Sequence, residues 1–293
     1  MLMSVRTRAG VAAAAVATLG LVSGGLAPAV GTTTAARAAA ATPKLIVTFT
    51  KDGHTVKGPR TFKAGRVAIH LTVRNKFHTA GIIKLAKGYT LKEAEADLFA
   101  VFGPEPDLDK LMRFNRKTTF FGGPAGGRGT SIDSTVVLPR AGTYLMYDFG
   151  GDHIVKLATL KVTGPRVARP APAVDGLVVA KTGSRFGGSK TLPHAGTLKY
   201  VNKADQPHFL SMARVANGTT RTQALACIRE EPTCDPAIFR AGSLDIEPID
   251  PGKSQTVKYD LPRGTYVQMC FYPDHMTGAP HAFMGMVRIV KLK

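Results

Sequence analysis

Four sequence landmarks occur twice along this chain, in the same order, on either side of residues 164–176. They are an Ala-Gly pair, a histidine, a glycine ten residues after that histidine, and a Leu-Pro-Arg segment that runs into Gly-Thr-Tyr. The first set is Ala64-Gly65, His78, Gly88 and 138–144, and the second set is Ala195-Gly196, His208, Gly218 and 261–266. Each landmark alone is a generic feature of β-sandwiches. Four of them in register favour an internal duplication, so two similar halves are predicted.

The segment between the halves, residues 164–176, is rich in Pro and Ala and has no periodic pattern, which is typical of a linker. It divides the chain into a predicted domain at 42–163 and a second at 177–293. A total of 293 residues is long enough for two domains that each bury a core.

Short runs within each half alternate apolar and polar residues, the pattern of a half-buried strand. Three examples are Lys44–Phe49, Arg66–Val73 and Gln255–Tyr259. With Gly and Pro turns between them, these runs predict an all-β chain of two tandem Greek-key β-sandwiches. One short helix per half is expected in a long connection, at 91–99 and at 221–228.

The N-terminus has the layout of an export signal. Arg6 and Arg8 precede a charge-free run at 10–30, and small residues continue to Ala41. An uncleaved membrane anchor is the alternative, but the Gly and Ala content makes the run weakly apolar for that role. Residues 1–41 are therefore predicted to be a signal peptide. The mature chain is predicted to be secreted or extracytoplasmic, without a membrane span.

The chain is strongly basic, with a net charge of +19. The predicted signal contains three arginines and no acids, which leaves +16 for the mature protein. The Lys and Arg residues are scattered and not interleaved with aromatic residues. This favours an acidic protein partner or an anionic cell envelope over nucleic acid.

The chain has three cysteines, an odd number, although cysteines tend to pair in a protein exported to oxidising conditions. Cys227 and Cys234 are seven residues apart and are predicted to form a disulfide that closes a small loop. Cys270 is then left alone. It is either a buried core thiol, an intermolecular partner or a metal ligand.

Other potential ligands lie at strand boundaries around Cys270. His281 and Met286 follow it in the last loop, just before a closing strand, and His208 begins a strand upstream. One thiolate, two imidazoles and one thioether is the ligand set of a type 1 (blue) copper centre.

This arrangement resembles the cupredoxins, the plastocyanin and azurin group, over about the last 115 residues of the chain. The resemblance implies that His208, Cys270 and His281 are the trigonal ligands of one copper ion and that Met286 is the weak axial ligand. The first half resembles the family more weakly.

Two departures leave competing ligands. Ten residues separate Cys270 from His281, which is a longer loop than the family pattern, and His275 lies at the azurin-like spacing. Met284 competes in the same way with Met286. His281 and Met286 are preferred because no Met follows His275 at the right distance.

In the first half, Asp148 falls where the second half has its cysteine, His153 where the second histidine would be, and Ala158 where the axial Met would be. Without a thiolate no type 1 centre forms there. His78, Asp148 and His153 could form a two-His-one-carboxylate site. The alternative is that these residues are retained for folding alone.

The function predicted from the sequence is one-electron transfer by a secreted protein with a single copper ion, to or from an unknown redox protein. Enzymatic activity of the multicopper oxidase type is not expected, because the chain has no His-x-His pair. Two alternatives remain open. One is a copper-free pair of sandwiches that binds an envelope polymer or a protein, and the other is a copper carrier without a redox role.

Overall fold

The computed structural model of the chain describes residues 40–102, 105–149 and 153–293. The predicted signal peptide lies outside the described residues except for its last two positions. Among the described helices, none has both the length and the apolar character needed to cross a membrane.

The described residues of the first half form eleven strands, two α-helices and a 3₁₀-helix at Ala100–Phe102. The elements in chain order are β1 (Lys44–Thr50), β2 (Gly53–Lys57), β3 (Thr61–Lys63), β4 (Gly65–Val73), β5 (His78–Thr79), β6 (Gly81–Leu85), α1 (Leu91–Phe99), α2 (Leu108–Lys117), β7 (Thr118–Gly122), β8 (Pro124–Gly126), β9 (Ser131–Leu138), β10 (Gly142–Phe149) and β11 (Ile154–Thr163).

The second half follows with nine strands, one α-helix and a 3₁₀-helix at Pro236–Ile238. Its elements are β12 (Gly176–Lys181), β13 (Arg185–Gly188), β14 (Thr191–Leu192), β15 (Ala195–Lys203), β16 (His208–Val215), α3 (Arg221–Ile228), β17 (Phe239–Ile249), β18 (Ser254–Asp260), β19 (Gly264–Met269) and β20 (Val287–Leu292).

The strands form two mixed sheets, which confirms the all-β prediction. One sheet has the order β13-β12-β15-β18-β9-β4-β1-β2, and the other has the order β14-β20-β19-β16-β17-β7-β6-β10-β11-β3. In each sheet the second-half strands lie on one side and the first-half strands on the other. Counted outward from the junction between the halves, the strands of the two halves follow one another in the same pattern. For example, β1 pairs in parallel with β4, and β12 pairs in parallel with β15.

The two halves are joined within both sheets. β9 pairs with β18 in the first sheet, and β17 pairs with β7 and β8 in the second. Most buried apolar side chains of both halves belong to one continuous core, and a smaller cluster in the second half includes Val267 and Met269. The described residues form one compact unit. The segment 164–176 connects β11 to β12, and the proposed domain boundaries on either side of it remain a prediction.

The predicted helices 91–99 and 221–228 coincide with α1 and α3. Each begins with a capping box, in which a Thr side chain accepts a hydrogen bond from the amide three residues on, and the side chain of that later residue accepts one from the Thr amide. Helix α2 is not among the predicted elements; its N-cap Asp107 accepts a hydrogen bond from the Lys110 amide. A buried Asp97 on α1 forms an ion pair with Arg113 and ties the two first-half helices together.

The Gly-Thr-Tyr landmark has the same structural role in both halves. Its tyrosine is buried and donates a hydrogen bond to a carbonyl four residues earlier, from Tyr144 to Arg140 at 2.8 Å and from Tyr266 to Pro262 at 2.7 Å. These bonds fix the turn that precedes β10 and the turn that precedes β19.

We expect Tyr144→Phe and Tyr266→Phe each to lower the free energy of unfolding by about 1 kcal/mol, because each removes one hydrogen bond and leaves the ring in place. Urea denaturation of the two variants tests this. Equal stability of wild type and both variants would contradict the proposed role of the hydroxyl groups.

The predicted disulfide between Cys227 and Cys234 is present, and Cys270 is free and buried. Thiol titration of the unfolded, unreduced protein should therefore find one thiol per chain, and three after reduction. Because the bridge restricts the unfolded chain, replacing both Cys227 and Cys234 with Ser should cost about 2 kcal/mol of stability. A titration that finds three thiols before reduction would contradict the bridge.

Candidate metal centre

His208 is placed by a polar turn in front of β16. The buried Asn202 side chain donates hydrogen bonds to the carbonyls of Gln206 and Ile249, and it accepts one from the Ala204 amide. These bonds shape the turn and join it to the end of β17. His208 therefore enters its strand at a fixed position with its side chain buried.

Cys270 directly follows β19, and the chain then forms a loop that folds back onto it. Within this loop the Ala282 amide donates to the Cys270 carbonyl at 2.6 Å, and the His281 amide donates to the Tyr272 carbonyl at 3.0 Å. The Met286 amide in turn donates to the His281 carbonyl at 2.9 Å. The loop backbone therefore brings His281 and Met286 back to the strand end that bears Cys270.

Three predicted ligands converge as a result. The Cys270 Sγ atom lies 3.6 Å from His208 Nδ1 and 3.8 Å from His281 Nδ1. The three donor atoms lie within 4.8 Å of one another, and all three side chains are buried. Among the described residues, no other group of three His, Cys, Asp or Glu side chains has this arrangement.

These separations fit a single metal ion. Typical bonds of about 2.3 Å to sulfur and about 2.0–2.1 Å to nitrogen, at an angle between tetrahedral and trigonal, separate the two donor atoms by about 3.5–3.8 Å. The sulfur-to-nitrogen distances in the structure lie in this range. The donor set and the spacing are therefore both suitable for a metal ion.

Burial sets the protonation of the three donors. It lowers the pKa of His208 to about 3 and the pKa of His281 to about 4, so both imidazoles are neutral at neutral pH, as metal ligands must be. Burial also raises the pKa of the Cys270 thiol to about 12, although the Tyr272 and Phe209 amides hydrogen-bond to the sulfur and oppose this. A cation is needed to displace the thiol proton at neutral pH.

Asp274 faces the outer nitrogen of His281. The His281 Nε2 atom is buried and has no hydrogen-bond partner among the described residues, and the Asp274 Oδ2 atom lies 3.8 Å from it. Burial alone would raise the pKa of Asp274, but hydrogen bonds from Gln206, Thr277 and the Met276 amide outweigh this and lower it. An ionised carboxylate thus lies beside the imidazole, where it favours a proton on Nε2 and leaves Nδ1 free to bind metal.

The competing ligands lie elsewhere. His275 is outside the converging group and lines a separate cavity with Asp205 and Asp250. Met284 is 46% exposed, whereas Met286 is fully buried and is joined to His281 through its backbone. These positions favour the predicted preference for His281 and Met286, which remains a prediction.

The first half has a hydrogen-bonded pair in the corresponding place. The Asp148 carboxylate contacts His78 Nδ1 at 2.7 Å and accepts a hydrogen bond from the Thr79 amide at 2.7 Å. His153 is 78% exposed and contacts Glu95 instead. The structure brings His78 and Asp148 together but leaves His153 outside the pair, because its exposed side chain lies against Glu95.

We expect Asp148→Ala to lower the free energy of unfolding by about 3 kcal/mol, since it leaves the buried His78 and Thr79 donors without their acceptor. Asp133→Ala is a matched control, because Asp133 also contacts a histidine, at 3.0 Å, but its side chain is 48% exposed. That control should cost less than about 1 kcal/mol. Similar losses for the two variants in urea denaturation would contradict a special role for the buried pair.

No protein-family model matches the chain, and no curated protein matches it in sequence. Solved structures do resemble it. Reduced auracyanin from the photosynthetic bacterium Roseiflexus castenholzii is 21% identical and has a TM-score of 0.25, with 40% of this chain and 94% of that chain covered.

Two further solved structures, both of copper proteins, are also similar to this chain. McoA multicopper oxidase from the hyperthermophile Aquifex aeolicus is 12% identical with a TM-score of 0.23, over 85% of this chain and 65% of that one. Copper nitrite reductase from Nitrosomonas europaea is 12% identical with a TM-score of 0.23, over 85% of this chain and 93% of that one. The similar structures thus include copper proteins. Because their TM-scores are low, the evidence for the metal centre is the arrangement of His208, Cys270 and His281 in this chain.

Proposed function

We propose that His208, Cys270 and His281 bind one copper ion in a type 1 centre, with Met286 as a weak axial ligand. The protein then transfers one electron at a time between partners. The observation that supports this most strongly is the convergence of one thiol and two imidazole Nδ1 atoms, all buried, within 4.8 Å.

The kinds of donor favour copper over the other common metals. Thiolate and thioether ligands suit soft ions, imidazole suits copper and zinc, and carboxylates suit hard cations. The converging group contains no carboxylate, and a fully buried methionine follows it in the same loop. A buried thioether next to a Cys-His-His group is the combination expected for copper.

The protein's contribution is a rigid and dry set of ligands. The loop that bears Cys270, His281 and Met286 is held by backbone hydrogen bonds, and the turn before His208 is held by Asn202. A copper ion bound there supplies the Cu(I)/Cu(II) couple. Because the ligands are fixed before metal binding, little rearrangement should accompany a change of oxidation state.

The amide hydrogen bonds at the sulfur tune the same centre. The N–H groups of Tyr272 and Phe209 point at Cys270 Sγ and lower the pKa that burial raises. In the metal-bound protein they would stabilise negative charge on the thiolate. Hydrogen bonding around the cysteine sulfur is one of the features that set the potential of such centres.

The setting that we propose is outside the cytoplasm. The layout of residues 1–41 supports export, and the disulfide between Cys227 and Cys234 is typical of an oxidising compartment. The charge of +16 on the mature chain supports an acidic redox partner or contact with an anionic envelope. We propose electron transfer without bond-making catalysis, since the chain has no His-x-His pair.

The first half is proposed to be a degenerate copy of the second. Equivalent strands of the two halves lie at equivalent places in both sheets, which supports a duplication. Asp148 and His78 lie at the positions of Cys270 and His208, so a hydrogen bond in the first half corresponds to the proposed metal centre in the second.

Adding Cu(II) to the purified chain should produce an intense visible band from thiolate-to-copper charge transfer, which saturates at one copper per chain. The band should vanish in Cys270→Ser, because the thiolate is lost. A chain that remains colourless but binds Cu(I) would favour the copper carrier, and a chain that binds neither ion would contradict both copper functions.

Matched pairs of variants should identify the remaining ligands. His281→Ala should abolish the band, while His275→Ala should leave it. Met286→Leu should raise the reduction potential, because Cu(II) loses a donor that Cu(I) needs less, while Met284→Leu should change it little. If His275→Ala abolished the band and His281→Ala did not, His275 would be the ligand. If only Met284→Leu changed the potential, Met284 would be the ligand.

A further inference from the structure

A second candidate site is a cavity of about 290 Å³ between the two halves. Strand β17 and the residues next to Cys270 form one side of it, and the helices and strands of the first half form the other. Its wall is mainly apolar and rich in aromatic rings, which include Phe77, Phe114, Phe120, Phe149, Phe209 and Tyr272. None of the proposed copper ligands lines it.

One polar group in this cavity is available to a ligand. The Glu247 side chain lines the cavity, and the hydrogen bond that the structure shows to its carboxyl group comes from the Tyr147 hydroxyl at Oε2. The other acid of the lining, Asp245, accepts hydrogen bonds from two serine side chains, Ser211 at 2.6 Å and Ser243. The Oε1 atom of Glu247 is therefore the group best placed to bind a molecule in the cavity.

Burial determines the charge of this group. Burial raises the pKa of Glu247 to about 8, and the hydrogen bond from Tyr147 only partly opposes it. Burial likewise raises the pKa of Asp245. A mainly neutral carboxyl surrounded by aromatic rings does not attract a cation strongly, and two acids with apolar walls disfavour an anion.

The cavity also has an apolar entrance. Phe77, Phe102 and Phe271 line it and are 45%, 55% and 37% exposed, respectively. Exposed aromatic side chains that continue into an apolar cavity are typical of a ligand-binding site. An apolar molecule could reach Glu247 past these three rings.

We propose that this cavity binds a small uncharged molecule of two fused aromatic rings, whose hydroxyl group hydrogen-bonds to Glu247. The size argument is direct, because an apolar cavity of about 150 Å³ holds one benzene ring and this one has about twice that volume. The aromatic wall favours a planar ring system through offset and edge-to-face contacts.

The test uses the full metal-free chain with 2-naphthol as the probe and naphthalene as the analogue without a hydroxyl group. Fluorescence titration should show saturable binding of 2-naphthol at one site per chain. Naphthalene should bind roughly 2- to 10-fold more weakly, because it lacks the hydrogen bond to Glu247. Absence of saturable 2-naphthol binding, or equal affinities for the two compounds, would overturn the proposal.

Two kinds of variant locate the site. Ala125→Leu fills part of the cavity from β8 and should weaken 2-naphthol binding at least tenfold. Glu247→Leu should remove the preference for 2-naphthol over naphthalene while retaining binding of both. Thermal unfolding of each variant shows whether it has folded.

A surface pair provides a second measurement in case either interior variant does not fold. Phe77→Ala removes a ring from the entrance and should weaken 2-naphthol binding several-fold. Phe239→Ala is the matched control, since Phe239 is 36% exposed but does not line the cavity. Equal affinities in these two variants and the wild type would place any binding elsewhere and overturn the proposed site.

Discussion

The burial of the Cys270 thiol beside two imidazole nitrogens is the constraint on which the rest of the candidate centre depends. Polar atoms taken out of water lower stability unless they gain a strong partner. The described contacts of Cys270 Sγ with the two histidines are 3.6 and 3.8 Å, which are long contacts even for sulfur. A cation among the three donors would satisfy all of them at once, and its binding would stabilise the folded chain.

The buried histidine at the start of a strand has a different partner in each half. In the first half the Nδ1 atom of the buried His78 contacts the Asp148 carboxylate at 2.7 Å, while its Nε2 atom has no hydrogen-bond partner among the described residues. The ring lies stacked on Phe49, with ring centroids 3.9 Å apart. In the second half a thiol takes the place of the carboxylate, and the loop returns His281 and Met286 to it. The difference between Asp148 and Cys270 therefore determines which half can host the proposed centre.

Much of this could be predicted from residues near each other in the chain. The strand at Arg66–Val73, the helix at 221–228 and the Gly-Thr-Tyr turns have local patterns that a single sequence shows. The group of His208, Cys270 and His281 could be anticipated because His208 begins a strand, Cys270 follows one, and His281 lies in the loop before the last strand. Contacts between segments that are distant in the chain leave no comparable local pattern in the sequence. The pairing of β9 with β18 and the cavity around Glu247 depend on how the halves pack, and the loop bonds that place His281 depend on backbone geometry.

The most direct test of the central claim is X-ray absorption at the copper edge of the copper-loaded chain. The account predicts one sulfur neighbour at about 2.3 Å or slightly less and two nitrogen neighbours at about 2.0 Å, as thiolate and imidazole ligands require. A first shell of nitrogen and oxygen atoms alone would contradict it, because the copper would then be bound away from Cys270.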